Sequence, residues 1–193
     1  ESDKPQFLTL LENHIDLDKI IPTSFYKHYY ASTGRNRKYP LNAMLWALII
    51  QRLFSIPTDS LLLIFLHYSR HLREFCGFTK VPDASKITRF KQDFLMDLQS
   101  VFDNLVDITE PICQDIDGNL ASMLLFDTSG IEAYPGVERG SQEWDDTYKI
   151  RVNVEKSINH FKDSFCVAGR KTQNEETLHS DLLLAGIAQL LTV

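Results

Sequence analysis

Apolar residues recur every three to four positions through most of the first 116 residues, and this spacing predicts amphipathic helices. Two short helices are expected first and four longer ones after them, over residues 5–13, 22–30, 41–54, 58–73, 83–94 and 94–116. Thr58 or Asp59, and later Asp83, stand where a side chain can cap a helix, and Gly77 stands where one can end. Pro111 is expected to break or kink the last helix.

The pattern changes after residue 116. A turn signal at residues 117–119 is followed by a short apolar run, Leu120–Phe126, which predicts a buried strand that ends at Asp127. A second apolar run, Leu182–Val193, predicts an apolar helix. We therefore expect a mainly α chain in two parts, a helical part over residues 1–118 and an α/β part over residues 119–193.

Charge is distributed unevenly along the chain. The net charge of −6 argues against a uniformly basic nucleic-acid binder. From Thr33 to Gln92, however, ten basic residues face only three acids, whereas residues 93–117 contain seven acids and no Lys or Arg. The basic segment predicts a localised surface for a polyanion.

Three predicted helices lie within the basic segment, between residues 41 and 94, and their order resembles a helix-turn-helix. The last of them carries two basic residues one turn apart, which can lie along a DNA groove, and a basic loop precedes the first. A plain helical bundle whose surface is basic fits the charge pattern equally well. The candidate DNA contacts are Lys86, Arg89 and Lys91 on the last helix and Arg35, Arg37 and Lys38 in the loop.

Cysteine usage and hydropathy indicate the compartment. Cys76, Cys113 and Cys166 include no CxxC pair, and each is expected to be a small buried hydrophobe in a reducing environment. The apolar run over residues 41–54 is interrupted by polar side chains and is too short to span a bilayer. No signal peptide opens the sequence. We expect a cytoplasmic protein without membrane contact.

Four polar residues near the end of the chain share one helical face. Tyr148, Arg151, Glu155 and Lys162 are separated by two, three and six residues. This spacing places them within roughly 60° of one another on a helix, and the apolar residues of the same stretch fall on another face. A carboxylate beside two cations and a phenol suits work on phosphates through a bound metal. The simpler alternative is a solvated helix with an Arg151–Glu155 ion pair.

The spacing of these four residues resembles the Y-x2-R-x3-E-x6-K signature of insertion-sequence transposases of the DDE type, which have an RNase H-like core. The helical stretch over residues 41–94 also looks like the N-terminal domain common in that family. In the family this domain helps to bind the terminal inverted repeats of the mobile element. The resemblance covers most of the chain.

The resemblance implies a catalytic site and its chemistry. Asp127 in F-D-T-S-G matches the first catalytic Asp of the family, and Glu155 matches its Glu. These two carboxylates would hold Mg²⁺ ions for phosphoryl transfer. Arg151 and Lys162 would neutralise phosphates near the transposon end, and Tyr148 would stack or form a hydrogen bond there.

The second catalytic Asp of the family has no counterpart in this chain. Asp127 and Glu155 are only 28 positions apart, too few for a strand pair, a helix and another strand. Asp145 and Asp146 lie between them, but they are expected to cap the helix that follows. The loop-like residues 134–147 resemble a seam. We infer that the central part of the catalytic domain is missing, which leaves a truncated RNase H-like remnant.

Two functions are therefore open. An intact form is expected to bind double-stranded DNA at the terminal inverted repeats of a mobile element, and to cleave and transfer strands with Mg²⁺. The chain as given is expected instead to be a catalytically inactive remnant that binds DNA or self-associates. A C-terminal apolar helix without its sheet would favour a homo-oligomer. The family places such a protein with the nucleoid of a bacterium or archaeon.

Overall fold

The computed structural model describes residues 5–31, 37–116, 141–142, 156, 158–165, 167 and 174–192. These residues are mainly helical and include no strand, which confirms the mainly α class. The helices are α1 Gln6–His14, α2 Leu17–Ile20, α3 Thr23–Tyr29, α4 Leu41–Leu53, α5 Asp59–Tyr68, α6 Arg70–Cys76, α7 Ala84–Asp93, α8 Leu95–Ile116 and α9 Glu175–Leu190. The predicted strand over residues 120–126 lies outside the described residues, so the RNase H-like part stays a prediction.

Capping side chains set several of the helix boundaries. The Thr58 hydroxyl accepts a hydrogen bond from the Leu61 amide (3.2 Å) and begins α5. The Asp83 carboxylate accepts one from the Lys86 amide (3.1 Å) and begins α7. Gly77 ends α6 in the left-handed region at φ +83°, a conformation that glycine adopts without strain. The predicted start and stop signals in this part of the chain are confirmed.

One predicted helix was wrong in its extent, and α8 does not break where a break or kink was expected. The helix expected over residues 58–73 is two helices, because Ser69 is extended and its hydroxyl accepts a hydrogen bond from the Leu72 amide (3.2 Å). Such local hydrogen bonds compete with helix continuation. Conversely, α8 continues through Pro111, so the helix does not break there, and the alternative of a kink stays a prediction. Pro111 is exposed, as is Asp107 four residues before it, so water can satisfy the carbonyl that loses its helical partner.

Helix α4 forms the centre of the described part. Its side chains are buried on nearly every face, among them Leu41, Leu45, Leu48 and Ile50. A helix that is apolar all round must be covered by its neighbours, and here α5, α6 and α9 pack on it. An aromatic cluster joins α3 to α7, with the Phe25 and Phe94 ring centroids 5.6 Å apart.

The C-terminal apolar run has a different partner from the one expected. Helix α9 begins at Glu175, where the Asn174 side chain accepts a hydrogen bond from the Thr177 amide (2.8 Å). It packs on α4, α7 and α8 of the N-terminal part. The approach is close at Gly186, where a Cβ atom would lie 2.7 Å from the Phe102 ring of α8. The C-terminal helix is thus covered by other helices, not left without a partner.

The short helical stretch over residues 158–164 lies beside α9. Phe161 and Phe165 pack with Ala185 and Ala188 of α9, and the Ser55 hydroxyl at the end of α4 donates a hydrogen bond to the Ser164 carbonyl. Within the part of the chain that the structure describes, no helix is long and apolar enough to cross a membrane.

The cysteine prediction holds for one of the two described cysteines. Cys76 is buried at the end of α6, and burial raises the pKa of its thiol to about 12. Cys113 is exposed on α8, so the expectation that it is a buried hydrophobe was wrong. Cys166 lies outside the described residues.

Candidate nucleic-acid interface

Helix α7 presents two of the predicted DNA contacts to solvent. Ile87 and Phe90 are buried, and they fix the rotation of the helix against its neighbours. Lys86 and Arg89 therefore lie on the exposed face, one turn apart. Neither forms an ion pair with any described residue.

Acids at both ends of α7 limit this positive surface to the first two turns. The Asp83 carboxylate at the N-terminus also accepts a hydrogen bond from the Ser85 hydroxyl (2.5 Å), and this hydrogen bond lowers the pKa of Asp83. Asp93 is exposed at the C-terminal end of the same face. The positive surface thus lies at the N-terminal half of α7, the part of a recognition helix that contacts bases in helix-turn-helix proteins.

The described part of the basic loop is held against the protein by Arg37. Its Nε donates a hydrogen bond to the Tyr29 carbonyl (3.1 Å). Its guanidinium lies 5.2 Å from the Tyr29 ring centroid and 5.0 Å from that of Phe94, which are cation–π distances. Arg37 therefore anchors the loop beside the end of α7. Lys38 is exposed with its ammonium 5.7 Å from the Tyr39 ring, and Arg35 lies outside the described residues.

Lys91 does not share the exposed face of α7. Its side chain is 0% exposed, and its ammonium lies 2.8 Å from a carboxylate oxygen of Asp59 and 2.8 Å from one of Asp181. The predicted DNA contact at Lys91 is therefore corrected. Lys91 follows Ile87 by four positions, which places it on the buried face, and the two carboxylates compensate its charge there.

Lys91 belongs to a buried charge network that the sequence patterns did not reveal. Arg52 of α4 is 0% exposed and pairs with Asp181 of α9, which is 3% exposed. Asp59 at the start of α5 also accepts a hydrogen bond from the Gln51 side chain (3.0 Å). The two cations and two carboxylates balance in charge. This network joins α4, α5, α7 and α9.

The network lowers the surface charge inferred from the sequence. Two of the ten basic residues of the Thr33–Gln92 segment are inside the protein. Two more have local partners: Arg70 pairs with Glu74 (2.7 Å), and Arg73 donates to the carbonyls of residues 66 and 67. The candidate interface is therefore the exposed face of α7 at Lys86 and Arg89, and Lys38 in the basic loop is a further exposed cation.

The four-residue stripe near the end of the chain is placed only in part. Lys162 is exposed within the helical residues 158–164. Tyr148, Arg151 and Glu155 lie outside the described residues, as does Asp127. Among the residues that are described, no group of three or more His, Cys, Asp or Glu side chains is placed to hold a metal ion. The catalytic residues and the Mg²⁺ site remain predictions.

Comparison with known families supports one part of the sequence interpretation. Residues 1–93 match the family model described as Transposase domain (DUF772). The match ends at the last residue of α7, so it includes the helix that presents Lys86 and Arg89. It supports a transposase-related protein. No curated protein and no solved structure matches the chain.

Proposed function

We propose that this transposase-related chain binds double-stranded DNA through α7, at the terminal inverted repeats of a mobile element. One observation carries the proposal. The helix that closes the transposase-domain match buries one face and turns Lys86 and Arg89 to solvent without an ion pair in the described structure. Two cations one turn apart on a fixed helix can contact phosphates, or base edges in a major groove.

The packing of α5, α6 and α7 supports a helix-turn-helix-like use of this surface. Helix α5 packs on both α6 and α7 and holds them in one unit. The connection from Gly77 to Asp83 is longer than the three or four residues typical of the motif, so we propose a related arrangement, not the motif itself. Lys38 would extend the contact to the DNA backbone beside α7.

In an intact form, the same ancestry implies strand cleavage and transfer. Asp127 and Glu155 would hold Mg²⁺, and Tyr148, Arg151 and Lys162 would contact the transposon end. The spacing of these residues supports this role, together with the exposed helical position of Lys162. Only 28 positions separate Asp127 from Glu155, too few for the strands and helix that carry the second catalytic Asp of the family, and this favours the alternative, a DNA-binding remnant without catalytic activity.

DNA binding is tested by fluorescence anisotropy with a duplex that ends in the inverted repeat of the element. Affinity should fall steeply between about 50 and 200 mM salt, because phosphate contacts release counterions. The Lys86→Ala/Arg89→Ala variant should bind more weakly and lose about two units of the salt slope if both side chains contact phosphates. Lys27→Ala removes an exposed lysine from α3 and is the matched control. Equal affinity of the double variant and the control would refute the assignment of α7.

Catalysis is tested separately by nicking of the same duplex with Mg²⁺. Cleavage that is lost on Glu155→Gln would establish the strand-cleaving function and overturn the inactive alternative. No cleavage, together with salt-dependent binding, would establish the DNA-binding remnant.

A further inference from the structure

Two buried cations inside the transposase-domain match pair with a carboxylate that lies outside it. Arg52, Lys91 and Asp59 all lie within residues 1–93 and supply two cations and one carboxylate. The second carboxylate, Asp181, comes from α9, far outside the match. Without α9, Arg52 and Lys91 would lose the carboxylate that both of them contact in the folded protein.

The contact between α9 and the remaining helices combines this charge with side chains that fix its position. The Ser180 hydroxyl donates a hydrogen bond to the Lys91 carbonyl (2.6 Å), directly beside the Asp181 carboxylate. Leu184 and Ile187 follow at helical spacing and are buried. Gly186 admits the Phe102 ring of α8 at a distance that any side chain would obstruct. Polar and apolar contacts therefore repeat along one face of α9.

These contacts allow a single register. An apolar helix on an apolar surface can slide or rotate by a turn at little cost. A buried carboxylate that must meet two cations cannot, because a shift of one residue would move Asp181 away from both Arg52 and Lys91. The glycine adds a second restriction, since only residue 186 can lie against Phe102.

We propose that the surface of α4, α7 and α8 beneath α9 is a specific helix-binding groove, and that the C-terminal segment containing α9 is its separable ligand. The groove recognises a helix with one carboxylate, a small residue five positions later and apolar residues between and after them. The helical domain is thus assembled from two separated stretches of chain, and residues 117–173 are anchored to it at both ends. This inference does not depend on DNA binding.

The proposal is tested on the full chain, with a site for a sequence-specific protease inserted between Gly136 and Val137. After cleavage, the two pieces should elute together in gel filtration, also in high salt, because the network is shielded from screening. A synthetic peptide of residues 158–193, which includes the side chains that pack beside α9, should then displace the C-terminal piece. Separation of the pieces directly after cleavage at micromolar concentration would overturn the groove.

The peptide also tests the role of the charge without requiring any variant protein to fold. An Asp181→Asn peptide should displace the C-terminal piece at least about a hundredfold less well, because Arg52 and Lys91 lose the carboxylate that they share. A Glu176→Gln peptide makes the same kind of change at an exposed position of α9 and should compete like the unmodified peptide. Equal competition by the Asp181→Asn and Glu176→Gln peptides would refute the register, and no displacement by any peptide would refute a separable ligand.

Discussion

Substitution of Lys91 by methionine decides whether this residue has the structural role that its burial indicates or the DNA contact that its position in a basic segment suggested. Methionine keeps much of the volume of the lysine stem and removes the charge. If Lys91 contacted DNA from the surface, the substitution would lower the DNA affinity of the protein and leave its stability unchanged. If Lys91 belongs to the buried network, the substitution should lower the stability and leave the DNA affinity of the folded protein unchanged.

The magnitude follows from what remains in the network. Lys91 is 0% exposed, and its ammonium lies 2.8 and 3.0 Å from the Asp59 carboxylate oxygens and 2.8 Å from Asp181. Its removal leaves Arg52 paired with Asp181 in the interior, and leaves Asp59, whose side chain is 21% exposed, without this cation. Loss of one partner of a buried ion pair costs about 3–5 kcal/mol. That is a large share of the roughly 5–15 kcal/mol by which a typical domain is stable.

Urea unfolding followed by circular dichroism measures this difference. Lys91→Met should lower the midpoint with little change of the m-value, whereas Lys86→Met, the same change at an exposed position, should stay within about 0.5 kcal/mol of the unmodified protein. Adding Asp59→Asn to Lys91→Met leaves the balanced Arg52–Asp181 pair. We expect the double variant to lose about 0.5–3 kcal/mol less than the sum of the single losses. Equal stability of Lys91→Met and Lys86→Met would refute the buried network.

Three further predictions concern the packing of α9, the start of α7 and the two described cysteines. Gly186→Ala should destabilise the protein by about 1–3 kcal/mol in the same urea assay, because the new Cβ would lie 2.7 Å from the Phe102 ring of α8. Unchanged stability would show that α9 does not pack this closely on α8. The Ser85 hydrogen bond lowers the pKa of Asp83 below its ordinary 3.8, so the contribution of this carboxylate to stability is present above about pH 4 and lost as pH falls through the lowered value. An Asp83→Asn variant keeps a capping oxygen that does not titrate, so below about pH 4 it should lose less helix than the unmodified protein, as measured by circular dichroism. Identical helix content of the two proteins through the acid titration would contradict the role of the Asp83 carboxylate as a cap. In a Cys166→Ser background, Cys113 should react at once with a thiol reagent and Cys76 only on unfolding; one fast equivalent in the folded protein is expected, and two would contradict the burial of Cys76.

Much of the helical part follows from local sequence, because its boundaries depend on side chains that act on neighbouring backbone. Thr58, Asp83 and Gly77 are signals of this kind, and the structure confirms them. Ser69 shows the limit. Apolar residues keep their helical spacing through both α5 and α6, so periodicity alone does not show that the Ser69 hydroxyl ends one helix and begins the next.

The exposure of a residue in the candidate interface was predictable where the apolar pattern of its own helix determines it. Lys86 and Arg89 fall away from the apolar face of α7, whereas Lys91 lies four positions after Ile87 and one turn before the buried Phe94. This spacing predicts that Lys91 is buried. The sequence does not predict its ion-pair partner Asp181, because Asp181 lies ninety positions further along the chain and only the tertiary fold brings it to Lys91.

The end of the family match and the end of the packed unit differ, and the difference bears on function. The match stops with α7, yet two buried cations within it, Arg52 and Lys91, pair with Asp181 of α9. Residues 117–173 therefore begin and end on one helical unit, whatever fold they adopt. Lys86 and Arg89 lie on the same helix as Lys91, so DNA bound there is one helical turn from the contact that holds α9. Helix α7 is therefore one physical connection between the proposed DNA interface on its exposed face and α9, which follows the segment with the predicted catalytic acids.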